Sequence, residues 1–556
     1  MQCDRSNVLE VDLLHQAVES HANMRPDHMA IDQGKRTITY GELAEKMHRL
    51  ASLLKSHGVK RHDRVGIFMG NSIEACVGIL GTLRSDACYV PLNPTFPPPR
   101  LAGIVDDAQM NVLITVKSNL KMIQQTITML EGPSPNTIIV LDLDDSVFSE
   151  NENLQALASA VENVVGNEAL EKASSDPDSS SATEEDLAYL MYTSGTTGKS
   201  KGVMISHRNV KTFITWAVDH FKITHVDKMS NHSAMSFDLS VFDIFGAFFA
   251  GATLVPLATV GEQMFPSKVI RNRKITIWFS VPSVISMMRM SKQLTPGAFS
   301  DSLRLAIFCG EALTPEQVAA WKDTHPDIPI HNIYGPTEAT IACTHHNVGV
   351  DSPFDVNAPV PIGVPCPSTD FLILERDSDE LVADGEIGRL MICGSQLAAG
   401  YWRRDDLTEK AFRTNPFTTD FGDLMYESGD LAYRDTNGIY YCLGRVDSQV
   451  KVMGYRIELG EIEVVLGRHK NIAESAVVCI KGEMPTLVAA VAIEEKLQNE
   501  DTETELLDHC ADFLPNYMVP KQVKFFNQLP KNVNGKIDRR AIEMQVQADD
   551  KGISGG

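Results

Sequence analysis

Residues 193–207 read TSGTTGKSKGVMISH. The stretch sets small hydroxyl residues among Gly195, Gly198 and Gly202 and two lysines, Lys199 and Lys201. The run before it, 187–192 (LAYLMY), is short and apolar and predicts a buried strand. A Gly/Ser/Thr loop after a strand can wrap phosphate oxygens with backbone N–H groups, hydroxyls and lysine charge. A Walker-type P-loop requires G-x-x-x-x-G-K-[ST]. The residue five before Gly198 is Thr193, not glycine, so that match fails. A surface linker is the plainer alternative, but linkers rarely follow an apolar strand directly or carry lysine among the glycines. The loop handles phosphate by some other scheme.

Working outward, 556 residues are too many for one core, and the length predicts about three to four structural units. The 43% hydrophobic and 22% charged shares are those of an ordinary globular protein. A formal charge of −23 argues against nonspecific binding to nucleic acid or to an anionic membrane. No apolar run approaches the ~18 residues of a membrane span, and the opening MQCDRSNVLEVD is acidic, unlike a signal peptide. The ten cysteines are scattered without a C-x-x-C pair, as in a cytoplasmic enzyme with reduced thiols. No membrane insertion is expected.

The pattern is α/β. Thr39 is placed to cap an amphipathic helix with Leu43, Met47, Leu50, Leu53 and Leu54 on one face. Residues 64–69 (RVGIFM) predict a strand, 72–85 a helix and 88–92 (CYVPL) a second strand, closed by the proline-rich turn 93–99. Such alternation predicts layered α/β subdomains with largely parallel sheets. Residues 150–185 are poor in chemistry, and SSDPDSSSAT (174–183) predicts a solvated, flexible insertion. From about residue 360 strands crowd together (371–374, 388–393), predicting a small β-rich unit. Beyond a polar run near Gly444 lies a small α+β region.

Several stretches in this order resemble the adenylate-forming enzymes, and within them the stand-alone amino-acid adenylation enzymes of nonribosomal peptide synthesis. They are 40–43 (YGEL), the 193–202 loop, Phe237-Asp238, 334–338 (YGPTE), 428–431 (SGDL), 444–447 (GRVD), 454–458 (GYRIE) and Asn534-Gly535-Lys536. The resemblance covers about 10–545. It implies a large core over 1–446, a hinge at Asp447, a small mobile C-terminal lid over 447–545 and a polar tail, 546–556. Two departures stand out: Glu427 and Ser428 replace a common basic residue and Thr, and Met453 occupies a position often basic.

By this resemblance the substrates are ATP and an amino acid, with Mg²⁺ as cofactor. A substrate carboxylate attacks the α-phosphate, pyrophosphate leaves, and the acyl group then passes to a thiol. Such a site must neutralise crowded anions and align the reactants. The resemblance assigns Thr193, Ser194, Gly195, Thr196, Thr197, Gly198 and Lys201 to the β/γ-phosphates. It assigns Gly310, Glu311, Asn332, Tyr334, Gly335 and Thr337 to the nucleotide, with Tyr334 stacking on adenine. Asp430 and Arg445 would hold the ribose, Glu338 the Mg²⁺, and Lys536 would bridge the carboxylate and the α-phosphate. His232, His345 and His346 invite a metal reading, but 345 and 346 are adjacent without matching ligands, so ordinary histidines are expected.

The substrate pocket is implied in the same way. Asp238 matches the aspartate that pairs with an α-amino group, and a buried carboxylate needs a cation. A helix N-cap is its plainer rival. The wall would be Leu239, Phe242, Phe279, Ile307, Cys309, Ile333 and Ile341, with Lys536 at the carboxylate. Without a second charge or an amide, this wall suits a small to medium apolar side chain. The pattern resembles that of proline-activating enzymes, so L-proline is the leading expectation and D-alanine the alternative. A luciferase-like or acyl-CoA synthetase reading would put an apolar residue at 238. A non-catalytic nucleotide-binding module would not need Glu338, Asp430 and Lys536 all intact. No Gly-Gly-x-Ser phosphopantetheine site follows Arg539, so the expected thiol belongs to a separate phosphopantetheinylated carrier protein.

Overall fold

Thr39 caps the helix Tyr40–Ser56 through a capping box: its side chain accepts from the Glu42 N–H, and the Glu42 carboxylate accepts from the Thr39 N–H. Leu43, Met47, Leu50, Leu53 and Leu54 are all buried, as the helical period predicts. Next come strand Arg64–Phe68, helix Ile73–Arg84 capped by Ser72, and strand Cys88–Leu92. The computed structural model describes residues 9–143, 152–176, 178–195, 200–299, 301–418, 423–482, 484–531 and 537–553.

The chain divides into two compact units. One comprises Met1–Pro94, Val105–Tyr192 and Gly202–Val446; the other comprises Thr95–Ile104, Thr193–Lys201 and Asp447–Gly556. In a seven-stranded sheet the order is Asn163–Val165, Thr137–Val140, Val112–Thr115, Arg64–Phe68, Cys88–Leu92, Leu187–Thr193 and Lys201–Ser206. The pairings from Asn163–Val165 through Leu187–Thr193 are parallel. Its last two strands are the stems of the glycine loop.

A nine-stranded sheet runs Val364–Pro365, Thr344–Asn347, Ile330–Tyr334, Leu305–Phe308, Ile277–Ser280, Lys228–Asn231, Thr253–Pro256, Met29–Asp32 and Thr37–Thr39. Its central strands are parallel and, Lys228 apart, buried, as in sheets covered on both faces. A five-stranded antiparallel sheet, Thr369–Leu374, Gly388–Gly394, Leu424–Arg434, Phe412–Thr414 and Tyr440–Arg445, supplies the expected β-rich part.

The second unit holds the hairpin Gln449–Val452/Tyr455–Glu458 and a three-stranded sheet, Glu474–Ile480, Thr486–Ala492 and Gln522–Phe526. Side-chain alternation splits that sheet between two cores. Val477, Leu487, Ala489 and Val491 pack with Ile462, Leu466 and Leu506, while Ala476, Val478, Val488 and Ala490 pack with Ile542 and Val546 of helix Arg539–Ile553. At the hairpin turn, Met453 and Gly454 both have positive φ, 52° and 79°.

Among the described residues, 174–183 is largely exposed, as its composition predicts, while the rest of the 150–185 stretch carries regular elements. Among the described residues this stretch forms helices Glu152–Ala160 and Asn167–Lys172, and strand Asn163–Val165 extends the seven-stranded sheet. Polar composition concealed an anchor: Ser180 and Ser181 hydroxyls and the Ser181 N–H donate to the buried Asp86 carboxylate.

Burial also holds several histidines neutral. It lowers His207 to about 3 and His15, His232, His331 and His345 to about 4, against 6.5 ordinarily. Between pH 6.5 and those values the unfolded chain binds protons that the folded chain refuses. Stability is therefore fully present above pH 6.5 and is lost as pH falls toward 4, by at most about 1.4 kcal/mol per pH unit for each histidine. The thermal midpoint should fall steeply over that window. His207→Asn, whose amide oxygen can replace the Nδ1 that accepts from the Leu14 N–H, should flatten the fall; an unchanged slope would exclude His207 as a contributor.

Candidate functional site

Three parallel strands end side by side, with Ser280 opposite Phe308 and Phe308 opposite Asn332. In open α/β sheets the crevice beyond the carboxyl ends of strands is where ligands bind. Residues 309–311 and 335–338 follow directly from two of these strands. Gly310 has φ +93°, and an added Cβ would lie 3.2 Å from Val281 Cγ1. At Gly335 an added Cβ would lie 2.5 Å from the Ala342 Cα, so only glycine lets the returning chain pass this close.

Alternation places Phe279, Ile307, Cys309 and Ile333 on one sheet face. Helix Leu239–Ala250 contributes Leu239 and Phe242, and all six side chains are buried, as is Ile341. The Phe242 and Phe279 rings meet edge to face at 5.1 Å. Asp238 stands at the N-cap position of this helix, only 6% exposed, and its side chain makes no capping hydrogen bond. Helix capping therefore does not account for this aspartate. One turn on, Asp243 is completely buried, accepts from Asn231 Nδ2 at 3.1 Å and is held well above the usual carboxylate range by burial. No motif in the sequence singles it out.

The Tyr334 hydroxyl donates to Asp430 Oδ2, and burial, with Asp430 beside it, raises this phenol well above 10.0, so it remains a donor. Arg445 Nη1 donates to Asp430 Oδ1 and to the Ser428 carbonyl, both at 3.0 Å. Asp430 and Arg445 are cross-strand partners in the antiparallel sheet, so pairing register itself aligns them. Asn332 donates to the Pro361 carbonyl at 2.7 Å, and Glu311 accepts from the Ser283 N–H at 2.9 Å. These two expected nucleotide contacts also brace the backbone.

Glu338, in the 3-10 turn Thr337–Ala339, is 0% exposed and accepts from the Tyr401 hydroxyl at 2.7 Å. Thr340 and Ile341 follow with φ of 54° and 71°. Left-handed backbone at a β-branched residue costs on the order of 1–3 kcal/mol and persists only where the surroundings hold it. Gln396 does so, donating to the carbonyls of Ala339, Thr340 and Ala342, while the Thr340 hydroxyl donates to the Gln396 carbonyl. No local motif announces Tyr401 or Gln396; only the folded chain brings them to Glu338.

Thr193 ends its strand with a buried hydroxyl that has no hydrogen-bond partner among the described residues. In the second unit the Ser194 hydroxyl donates to the Arg456 carbonyl at 2.7 Å. Thr196, Thr197, Gly198 and Lys536 lie outside the described residues. Among those described, no group of three or more His, Cys, Asp or Glu could hold a metal unaided, and no helix is long and apolar enough to cross a membrane. His232 lies against Trp278, while His345 neighbours Trp216 and His220.

Residues 18–402 match the AMP-binding enzyme family and residues 461–536 its C-terminal domain. Tyrocidine synthase 3 of Brevibacillus parabrevis is 33% identical over 541 residues, covering 96% of this chain and 8% of that protein. Tyrocidine synthase 1 of the same organism is 34% identical over 537 residues, covering 95% of this chain and 44% of that protein. The chain thus spans less than half the length of these curated relatives. The Vibrio cholerae adenylation domain AlmE, solved with glycyl-adenosine-5'-phosphate, superposes with a TM-score of 0.80 at 26% identity, over 98% of this chain and 99% of that one. The resemblance seen in the motifs is confirmed at the level of family and fold.

The Asp430 cluster makes a stability prediction. Asp430→Ala removes the acceptor shared by the Tyr334 hydroxyl and the Arg445 guanidinium and should cost about 3–5 kcal/mol, as breaking a buried ion pair does. Tyr334→Phe removes one hydrogen bond and should cost about 1 kcal/mol. Urea unfolding of both variants checks the order; equal losses would show that Arg445 draws nothing from Asp430.

Proposed function

The chain belongs to the AMP-binding enzyme family, and on that premise we propose that it activates an amino acid with ATP and passes the acyl group to a carrier thiol. The amino acid's carboxylate oxygen bonds to the α-phosphorus as the bond from that phosphorus to the bridging oxygen breaks, releasing pyrophosphate. A phosphopantetheine thiol then bonds to the acyl carbon; AMP leaves, and the thiol proton passes to solvent. The observation carrying the amino-acid reading is Asp238: a buried carboxylate that caps no helix, beside an apolar wall. A substrate ammonium is the partner its chemistry suits.

In this reading Asp430 and Arg445 orient the ribose, and Tyr334 lies beside the base with its hydroxyl held by Asp430. Thr193, whose buried hydroxyl has no hydrogen-bond partner among the described residues, and Lys201 belong to the phosphate-binding loop, and Lys536 steadies charge as the phosphorus becomes five-coordinate. Glu338 suits Mg²⁺: it is a hard oxygen donor in a place with no multi-residue metal cage among the described residues, so phosphate oxygens and water would complete the shell. Mg²⁺ supplies charge neutralisation on the phosphates when bound.

The substrate in this reading has a compact apolar side chain. L-Proline is the first candidate from the wall residues. A second reading, glycine or D-alanine, draws on the Phe242–Phe279 contact and on the glycyl adenylate held by the Vibrio relative. ATP–pyrophosphate exchange across an amino-acid panel should respond to small apolar acids; exchange confined to charged or large aromatic acids would overturn the reading. Asp238→Ala should lower kcat/KM for the preferred amino acid by at least 100-fold while sparing ATP binding.

We further propose a core over 1–446 and a lid over 447–545 hinged at Asp447, supported by the division of compact units between Val446 and Asp447. Asp447→Pro should spare adenylate formation and block thioester loading, read by mass spectrometry of a carrier. Unimpaired loading would place the hinge elsewhere.

A further inference from the structure

Residues 396–402 (QLAAGYW) do two jobs at once. Their backbone is tied to the strand returning from the glycine loop. The Trp402 N–H donates to the Gly202 carbonyl at 2.8 Å, Met204 N–H to Gly400 at 3.0 Å, Ala399 N–H to Met204 at 3.0 Å, and Val203 bridges Tyr401. The same residues also reach Glu338: the Ala398 N–H donates to its carbonyl at 2.8 Å, and the Tyr401 hydroxyl donates to its Oε1 at 2.7 Å. The Tyr401 ring is buried, 5.8 Å from the Phe412 ring. The Glu338 carboxylate is thus oriented by a segment whose own backbone is registered against the stem of the glycine loop.

We propose that Tyr401 is a positioning residue for the metal carboxylate: its hydroxyl donates to Oε1 of Glu338 and would fix the orientation in which that carboxylate meets the cation that accompanies ATP. This rests on the reading of Glu338 as the metal-holding residue. A hydrogen-bond donor behind a ligating carboxylate fixes its orientation, and losing such a partner typically weakens metal binding about 10–100-fold. Because Tyr401 is bridged to Val203, the metal carboxylate and the returning strand share one register.

The test is Mn²⁺ binding to the full chain in the presence of α,β-methylene ATP, followed by electron paramagnetic resonance. It is run on the wild type, Tyr401→Phe, Glu338→Gln and the double variant. Phenylalanine keeps the packing on Phe412, so Tyr401→Phe should unfold near the wild-type temperature, bind metal-free nucleotide as before and bind Mn²⁺ about 10-fold more weakly. In the Glu338→Gln background the same change should add little, as for residues acting through one group. Unchanged Mn²⁺ affinity in Tyr401→Phe, with Glu338→Gln weakened, overturns the proposal and leaves the metal reading standing. So does full additivity in the double variant. Unchanged affinity in Glu338→Gln overturns the metal reading, and the role of Tyr401 with it.

Discussion

The apolar wall and the polar rim beside it hang on parallel strands that stop in register while their apolar face stays covered. Phe279, Ile307 and Ile333 point under helix Leu239–Ala250 because strand alternation leaves no other face, and Phe242 closes the gap from the helix side. Once the strands end, the chain can turn polar within a residue or two. Gly310-Glu311 and 335–338 are thereby delivered to one edge of the sheet. A shift of one residue in any of these strands would swap apolar wall for polar rim, so register is as much a functional property here as a structural one.

The turn after Glu338 shows how such an edge is made rigid. Two consecutive β-branched residues, Thr340 and Ile341, adopt left-handed backbone, and Gln396 holds them by donating to three carbonyls of the turn. That geometry sends the Glu338 carboxylate toward Tyr401 and returns Ile341 to the apolar wall in the same few residues. Strain of this size survives because relaxing it would cost a buried hydrogen-bond network as well as the packing of Ile341.

What could be read from the chain alone follows from which interactions are local. The capping box at Thr39, the strand 64–68 and the glycine loop's apolar stem are written within a few residues, and each was legible as an element. Asp238, Glu338 and Asp430 were singled out because their flanking residues resemble known motifs, not because spacing demanded a site. Tyr401 and Gln396 were illegible: their partners lie 63 residues away or more than 50 residues away, and nothing beside them signals the contact. The contacts of the 150–185 stretch were hidden for the same reason. Its serines read as solvated, yet Ser180 and Ser181 satisfy Asp86, a carboxylate nearly a hundred residues earlier whose need for donors is invisible until it is buried.

Charge poses the last question: how a chain of net charge −23 is to hold a polyphosphate. Screening at physiological salt confines each charge to roughly 8 Å, so the overall balance matters less than local composition. Arg445 is already engaged by Asp430, so on the proposed reading its charge serves orientation rather than phosphate neutralisation. On the proposed reading, that leaves the loop lysines, Lys536, backbone N–H groups and the cation that arrives with ATP to oppose the phosphates. A carboxylate at 338 is then a requirement rather than a liability. It would repel a bare triphosphate, and it favours nucleotide only when a divalent cation stands between the two. On the same reading, the Tyr401 hydroxyl sharpens that selection by limiting the directions from which Glu338 can reach the ion.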